Sequence, residues 1–177
     1  KELLEKAGLK FTVDPSSYEE SLQSNLEPAE LVKQLSLGKA KDVAKRHKDA
    51  IIVAADTIIV FEGKVLGKPK DENDAKEVLS RLGGQAHSVI TGFTIIDSAT
   101  NRAISKSVET KVYFKKLTPQ EINDYIQSGE PLDKAGSYAI QGLGAKLVDR
   151  IEGDFDNVVG LPTSEVVQAV KKLDSLG

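Results

Sequence analysis

The stretch "IIVAADTIIVFEGKVLGKPK", residues 51–70, places one carboxylate, Asp56, inside a run that is otherwise almost entirely apolar. Residues 50–61 have the composition of a β-strand, "EGK" is typical of a tight turn, and "VLGK" predicts a short returning strand that ends at Pro69. The stretch therefore predicts a β-hairpin with a charged group in its first strand.

The hairpin predicts a partner for Asp56, because an unpaired buried carboxylate is strongly destabilising. A two-residue turn at 62–63 places Lys68 opposite Thr57, one position from Asp56, and a three-residue loop shifts this register by one place. We therefore expect Asp56 and Lys68 to lie close together. The residues alone leave two interpretations: an internal salt bridge, or a site where the carboxylate manages a metal or a water beside a lysine that binds an anion.

The rest of the chain predicts helices and strands in an irregular order. The helix that begins at Pro28 has apolar residues on one side and Lys33, Lys39 and Lys41 on the other. Strands in consecutive hairpins mixed with isolated helices predict an α/β fold with a mixed sheet covered by helices. We expect a first helix that carries Leu3, Leu4 and Ala7 on one face and stops at Gly8, and a second over 28–44. Further helices are expected from an Asp71 N-cap to Leu82, after a capping box at 118–121 and after Thr163 or Ser164. Strands are expected at 9–13, 50–61, 65–68, 87–97, 102–116, 137–140 and 145–151.

Length and composition favour one globular domain. The chain has 177 residues, of which 40% are hydrophobic and 29% charged, and its formal net charge is −3, all ordinary values for a soluble protein. We expect residues 1–177 to form a single domain. The acidic balance argues against binding a nucleic-acid polymer, and no stretch has the apolar length of a membrane helix or the pattern of a secretory signal. We therefore expect a cytoplasmic protein that does not bind membranes.

The supply of metal-binding side chains limits the chemistry. The chain has no cysteine and only His47 and His87 as histidines, which excludes disulfides, cysteine nucleophiles and multi-histidine zinc sites. Any metal must therefore use oxygen ligands. Neither a G-x-G-x-x-G motif after a strand nor a G-x-x-x-x-G-K-[ST] loop is present, so a nucleotide is not bound through a Rossmann or Walker device.

Two further segments carry polar residues that suit a ligand site. The segment "DKAGSYAIQGLGA", 133–145, combines Lys134 and Gln141 with three glycines, which allow the backbone to approach a ligand closely. A flexible loop explains those glycines equally well. Glu19 and Glu20 follow a turn-like stretch, and surface charge is the simpler interpretation of both.

The order of these motifs resembles the Maf family of nucleoside triphosphate pyrophosphatases. The resemblance runs along the whole chain with matching spacings, which makes it far more specific than any single motif. It rests on "KELLEKAGL", "EESL", "LGKAKDVA", "AADTIIVFEGKVLGKPKD", "VLSRLGGQAHSVITGF", "ETKVYFKKLTPQEINDYIQSGEPLDKAGSYAIQGLGA" and "IEGDFDNVVGLPTS".

The resemblance implies a house-cleaning enzyme that hydrolyses a nucleoside triphosphate between the α and β phosphates. The products are a monophosphate and pyrophosphate, and the reaction uses a divalent cation, Mg²⁺ or Mn²⁺. The implied fold is an ITPase-like α/β fold, an elongated twisted sheet flanked by helices. The implied assembly is a homodimer in the cytoplasm. The implied ligand is the nucleoside triphosphate substrate.

The resemblance also implies roles for single residues. Asp56 of the "ADT" motif corresponds to the proton acceptor. Because magnesium prefers carboxylate oxygens, Asp56 is also a candidate metal ligand. The glutamate of the segment "EESL", Glu20 or its neighbour Glu19, corresponds to a group that holds metal and water. Lys39 of "KA" and Lys68 of "GKP" correspond to phosphate ligands.

The choice of base is implied by two positions. Thr57, directly after the aspartate, and Gln141 of "IQG" form a pairing that resembles the branch of the family acting on dTTP and UTP. Lys134 supplies a further positive charge for the phosphates. An alternative is a pyrophosphatase for 7-methyl-GTP or modified purines, whose branch differs at both positions.

One part of the family pattern is absent. The family opens with "SxSPRR", whose arginines grip the triphosphate, whereas this chain begins at Lys1 on a helical pattern with no N-cap before it. We expect the natural protein to have residues upstream of Lys1. A different class of function is a catalytically impaired, nucleotide-binding regulator of cell division. The plainest alternative is a mixed α/β domain whose charges are structural.

Overall fold

The computed structural model describes residues 1–19 and 25–175, so Glu20 lies outside the described residues. The helices are α1 (Glu2–Lys6), α2 (Pro28–Ala44), α3 (Glu72–Leu82), α4 (Pro119–Gln127), α5 (Phe155–Val159) and α6 (Thr163–Asp174). The strands are β1 (Ile51–Phe61), β2 (Lys64–Leu66), β3 (Ala86–Asp97), β4 (Arg102–Phe114) and β5 (Val148–Glu152). Short 3₁₀ turns occupy Glu130–Asp133, Ala135–Ser137 and Gly142–Leu147.

The strands form one sheet in the order β2-β1-β3-β4-β5, flanked by helices, which confirms the predicted α/β class. Strand β1 pairs antiparallel with β2, and β4 pairs antiparallel with β5. No helix among the described residues is both long and apolar enough to cross a bilayer.

The predicted hairpin is confirmed, including its two-residue turn. Phe61 faces Lys64, and the intervening Glu62 and Gly63 both have positive φ, 49° and 73°. Positive φ at both central positions defines a type I′ turn, whose backbone twist matches the twist of paired strands. Positive φ is uncommon for a residue with a Cβ atom such as Glu62, whereas Gly63 adopts it readily.

The ladder of this hairpin is shorter than predicted, because β2 ends at Leu66. The carbonyl of Gly67 accepts a hydrogen bond from the N–H of Gly136 at 3.0 Å, and Pro69 has no N–H to donate. The predicted strand pairing of Lys68 opposite Thr57 is therefore wrong.

Capping chemistry accounts for the helices that were predicted best. The Asp71 side chain accepts a hydrogen bond from the N–H of Asp74, and Thr118 and Glu121 form the predicted capping box of α4. Helix α6 begins at Thr163 without a side-chain cap, so the predicted cap at Thr163 or Ser164 is wrong.

Two predicted strands are absent from the described residues. Residues 9–13 lack a buried face, since Phe11 and Val13 are exposed, and alternation without burial does not hold a strand in a sheet. The segment 137–140 begins with Ser137, directly after Gly136. The φ angles of Gly136 and Ser137, 66° and 61°, are incompatible with an extended chain at these two positions. The strand predicted at 145–151 begins only at Val148, after a 3₁₀ turn.

The described chain forms two compact units. Unit 1 is built from Lys1–Thr57, Thr91–Val108 and Gly160–Gly177, and unit 2 from Ile58–Ile90 and Glu109–Val159. Each unit has a core of its own. In unit 1 the buried residues are Phe93, Ile95, Val166, Ala169 and Leu173, with a second group of Ala40, Val43, Ile52 and Ile96; in unit 2 they include Ile59, Phe61, Leu79, Leu82, Val112, Phe114, Ile122, Tyr125 and Tyr138. The single functional domain over residues 1–177 stays a prediction.

Candidate active site

Helix α2 is fixed against strand β3 by a close backbone approach in unit 1. A Cβ atom added at Gly92 would lie 2.3 Å from the carbonyl carbon of Val32, so only glycine permits this contact. Next to it, the hydroxyl of Ser36 lies 2.8 Å from that of Thr94, which lies 2.8 Å from the hydroxyl of Ser105. These contacts set the height and rotation of α2 over the strands.

The fixed rotation of α2 delivers Lys39 to Asp56. The ammonium Nζ of Lys39 lies 2.5 Å from Oδ1 of Asp56, and the side chains are 21% and 12% exposed. The prediction that Lys39 lies on the outer face of α2 is therefore wrong. The sequence did contain the signal, because Val32, Ser36 and Lys39 are spaced at i, i+4 and i+7 on one helix face.

The ion pair with Lys39 explains how the apolar strand β1 accommodates the carboxylate of Asp56. The cation that the structure brings to Asp56 comes from helix α2, and Lys68 of the hairpin belongs to the other compact unit. The proximity of Lys68 to Asp56 stays a prediction. A partly exposed ion pair of this kind keeps both charges near solvent, where a charged ligand can reach them.

Thr57 follows Asp56 in β1 and is engaged with neighbours in unit 1. Its hydroxyl lies 2.8 Å from the hydroxyl of the buried Thr91 and donates to the carbonyl of Gly160 at 3.4 Å. Successive strand residues point to opposite faces of a sheet, so Thr57 does not share the face of Asp56. Its implied role in base choice stays a prediction.

A cleft of about 470 Å³ opens in unit 1 beside Lys39. Its walls come from Ala50 and the first five residues of β1, from Lys39 and Val43 of α2, and from the N-terminal segment around Phe11. The volume lies in the range of small-molecule sites. Lys39 therefore borders both the carboxylate of Asp56 and a concave space.

The segment before Glu20 is bound along α2 in unit 1. The guanidinium of Arg46 lies 2.9 Å from Asp14, and the carboxylate of Asp42 accepts from the N–H of Ser17 at 2.8 Å. The bond from Ser17, followed by one from the hydroxyl of Ser16, lowers the pKa of Asp42 to about 2.

The same segment ends its described course next to Lys39. The ring of Tyr18 lies against Gly38, where an added Cβ would be 2.4 Å from a ring carbon. Glu19 is exposed and Glu20 is outside the described residues, so the glutamate ligand stays a prediction.

In unit 2 the structure brings together the segments that carry two of the predicted phosphate-binding lysines, Lys68 and Lys134. Lys134 lies 2.9 Å from Asp133, and this hydrogen bond is the main cause that lowers the pKa of Asp133, with the charge of Lys68 contributing. The hydrogen bond from the Gly136 N–H to the Gly67 carbonyl joins the two segments that carry these lysines. Sequence reasoning named both lysines without expecting this cluster.

Gln141 is exposed and stands at the start of the 3₁₀ turn Gly142–Leu147. The next residue, Gly142, has φ of 82°, which favours glycine because it lacks a Cβ atom. The side chain of Gln141 is accessible from solvent, and its implied role in base choice stays a prediction.

The donor set is compatible with a divalent cation. Within residues 1–19 and 25–175, no three His, Cys, Asp or Glu side chains form a preformed metal cage. Magnesium at phosphate-transfer sites is typically held by one or two carboxylates together with the phosphates of the substrate. The partly exposed carboxylate of Asp56 suits such a site.

Known proteins resemble this chain along nearly its whole length. The family described as Maf-like protein matches residues 1–173. A dTTP/UTP pyrophosphatase of Citrifermentans bemidjiense is 47% identical over 99% of this chain and 91% of its own length. A dTTP/UTP pyrophosphatase of Halalkalibacterium halodurans is 48% identical over 97% of this chain and 89% of its own length. One of Methanosarcina mazei is 47% identical over 98% of this chain and 88% of its own length. The chain therefore belongs to the Maf family.

Proposed function

We propose that this protein is a nucleoside triphosphate pyrophosphatase that hydrolyses dTTP and UTP to the monophosphate and pyrophosphate. The observation that carries the proposal is the ion pair between Lys39 and Asp56 in a chain 47% identical, over 99% of its length, to a dTTP/UTP pyrophosphatase. We place the enzyme in the cytoplasm, as a homodimer with one Maf-like domain per chain over residues 1–177.

The reaction requires attack by water on the α-phosphorus. A bond forms from the water oxygen to that phosphorus, the bond from phosphorus to the bridging oxygen breaks, and pyrophosphate leaves. Asp56, whose carboxylate lies 2.5 Å from the ammonium of Lys39, accepts the proton of the water as the general base. The same ammonium carries three N–H donors and can bind a phosphate oxygen while it stays beside Asp56.

The remaining roles follow the chemistry of a substrate with about four negative charges, which needs cations more than covalent help. Lys68 and Lys134, gathered near Asp133, bind phosphate oxygens. Asp56 and Glu20, or Glu19, hold a divalent cation, Mg²⁺ or Mn²⁺, whose chemistry when bound is to neutralise phosphate charge and to acidify water. Thr57 and Gln141 select the base.

The test is a substrate panel with the full-length protein. We expect pyrophosphate release from dTTP and UTP with magnesium or manganese, and kcat/KM at least about tenfold lower for CTP and 7-methyl-GTP, the discrimination of one or two polar contacts. Preference for 7-methyl-GTP would replace the proposed substrate with that of the other branch. Tight binding of dTTP without pyrophosphate release would replace catalysis with nucleotide sensing.

A further inference from the structure

Glu130, between the end of α4 and the predicted base-selecting residue Gln141, binds the loop that carries Gln141. Its Oε1 accepts hydrogen bonds from the Tyr125 hydroxyl at 2.9 Å and from the Gly144 N–H at 2.9 Å. Its Oε2 accepts from the N–H of Leu143 at 3.1 Å. One carboxylate therefore holds the backbone two and three residues after Gln141.

Tyr125 holds the same loop on its other side. The N–H of Ala139 donates to the hydroxyl oxygen of Tyr125 at 3.3 Å, and that hydroxyl donates in turn to Glu130. Two side chains from one end of α4 therefore bind the chain on both sides of Gln141. We call the two residues Tyr125 and Glu130 the loop clamp.

The loop between these bonds is closed tightly. A Cβ atom added at Gly144 would lie 2.2 Å from the carbonyl oxygen of Ala139, and one added at Gly142 would lie 2.8 Å from a carboxylate oxygen of Glu130. Glycine at both positions is what lets the backbone fold back against the clamp. The conformation of residues 139–144 therefore depends on Glu130.

Electrostatics indicate that Glu130 binds the loop as a carboxylate. Although burial opposes it, hydrogen bonds from the Gly144 N–H, the Leu143 N–H and the Tyr125 hydroxyl hold the pKa of Glu130 below its usual value. Burial, followed by the bond to Glu130, raises the pKa of Tyr125, which is 5% exposed. The tyrosine therefore stays a neutral donor and the glutamate a charged acceptor.

The side chain presented by the clamped loop points outward from this network. Gln141 is exposed, whereas Tyr125 is buried, Glu130 half-buried and Gly144 buried. Hydrogen bonds to a charged acceptor are about twice as strong as neutral ones, so the network suits the fixing of an exposed side chain.

We propose that Glu130 is a positioning residue for base selection, which acts by holding loop 139–144 so that Gln141 meets the pyrimidine base. This inference rests on the proposed function, because it assigns Gln141 a contact with the nucleotide. It adds to that function a specificity residue that does not itself touch the substrate.

The test variant is Glu130→Gln. Its amide N–H₂ takes the place of one carboxylate oxygen, so one backbone N–H of the loop meets a donor instead of an acceptor. We expect KM for dTTP to rise about tenfold with kcat within about twofold, and the preference for dTTP over 7-methyl-GTP in kcat/KM to fall about tenfold. Glu121→Gln is the matched control: it removes a carboxylate bound by the Thr118 N–H and hydroxyl at the other end of α4. The control should leave the preference unchanged.

A double-mutant cycle with Gln141→Ala separates positioning from structure. If Glu130 acts through Gln141, Glu130→Gln changes the substrate preference of the Gln141→Ala enzyme by less than about twofold. An equal additional loss in that background would overturn the inference. Hydrogen exchange of the Leu143 and Gly144 amides gives a readout without substrate, and unchanged exchange in the folded Glu130→Gln protein would also overturn it.

Two further outcomes are distinguishable. If Glu130→Gln does not fold, Tyr125→Phe removes one arm of the clamp and must lower the preference in the same direction, or the inference fails. If the wild-type protein releases no pyrophosphate from any nucleotide, the proposed function fails and takes the base-selecting role with it. An active wild type whose preference depends on Gln141 but not on Glu130 overturns the inference alone.

Discussion

Each unit holds a half-buried carboxylate, and the two carboxylates have different kinds of partner. In unit 1, Asp56 is met by a cation, the ammonium of Lys39, at 2.5 Å. In unit 2, Glu130 is met by neutral donors, the Tyr125 hydroxyl and two backbone N–H groups. A charged pair keeps a cation and an anion ready for exchange with a ligand, whereas three neutral donors from two segments fix a loop. The difference separates a group placed for chemistry from a group placed for geometry.

The two carboxylates also differ in what they contribute to the stability of the fold. An ion pair taken partly out of water loses hydration on both sides, so its net contribution to stability is small even where the Coulombic attraction is large. Asp56 and Lys39 are therefore poorly explained as stabilising groups alone. Glu130 organises backbone N–H groups that would otherwise lie without partners, which is a structural gain.

The largest expected effect comes from Asp56→Asn. The amide has the shape of the carboxylate but cannot accept a proton, so kcat for dTTP should fall about 10³-fold, within the range of general acid–base catalysis. The midpoint of urea unfolding should change little, because the side chain keeps its volume and the Lys39 ammonium, whose side chain is 21% exposed, can be hydrated. Steady-state pyrophosphate release and urea titration check the two halves of this statement.

Asp124→Asn provides the matched control for that experiment. Asp124 lies on the exposed side of α4 and accepts a hydrogen bond from Gln120 at 2.6 Å, with no proposed contact to substrate. Its variant should turn over dTTP at the wild-type rate. Wild-type activity in Asp56→Asn, or an equal loss in both variants, would contradict the division between chemistry and geometry.

How much of this was predictable from sequence depends on the range of the contacts. The hairpin turn at Glu62 and Gly63 and the caps of α3 and α4 were predicted correctly, because their causes lie within four residues along the chain. Two contacts depend on packing instead. They join Lys39 to Asp56, 17 residues apart, and Glu130 to Gly144, 14 residues apart, and hydrophobic periodicity does not encode which residues meet.

The wrong strand at 137–140 has a local cause that the sequence hid. Tyr138 and Ile140 alternate with small residues as in a strand, yet both are buried in an irregular segment. Gly136 permits the left-handed conformation, and Ser137 adopts it too, with φ of 61°. A serine with positive φ is not a signal that composition supplies.

Unit 2 also buries a neutral titratable group, the imidazole of His87. His87 is 3% exposed, its Nε2 lies 2.7 Å from the Tyr138 hydroxyl, and its Nδ1 has no hydrogen-bond partner among the described residues. Burial lowers the pKa of His87 from 6.5 to about 4. The folded protein therefore keeps this histidine neutral between these pH values, while the unfolded chain protonates it.

The sign of the pH effect follows from that difference. Because the unfolded state binds the extra proton, the free energy of unfolding should fall as the pH falls from about 7 to about 5, by about 2 kcal/mol from this residue. Urea unfolding at both pH values measures the loss. His87→Phe combined with Tyr138→Phe should remove most of it, whereas Tyr138→Phe alone should retain it. An undiminished loss in the double variant would show that other groups carry the pH dependence.

The smallest expected effect tests whether the unit 1 cation serves the ligand or only its neighbour. Lys39→Met removes one charge-assisted phosphate contact, which should raise KM for dTTP by about 10- to 50-fold. Lys41→Met, a change of the same chemistry at an exposed position of α2, is the matched control and should leave KM within about twofold.

The double variant Lys39→Met with Asp56→Asn decides between the two roles of this pair. If the pair is only an internal salt bridge, removing both charges should recover the stability lost in Lys39→Met, and KM measured for the single lysine variant should stay near the wild-type value. If Lys39 binds phosphate, stability recovers in the double variant while the affinity for dTTP, measured by calorimetry, stays as weak as in Lys39→Met. Because calorimetry does not require turnover, the loss of the proton acceptor cannot mask the result.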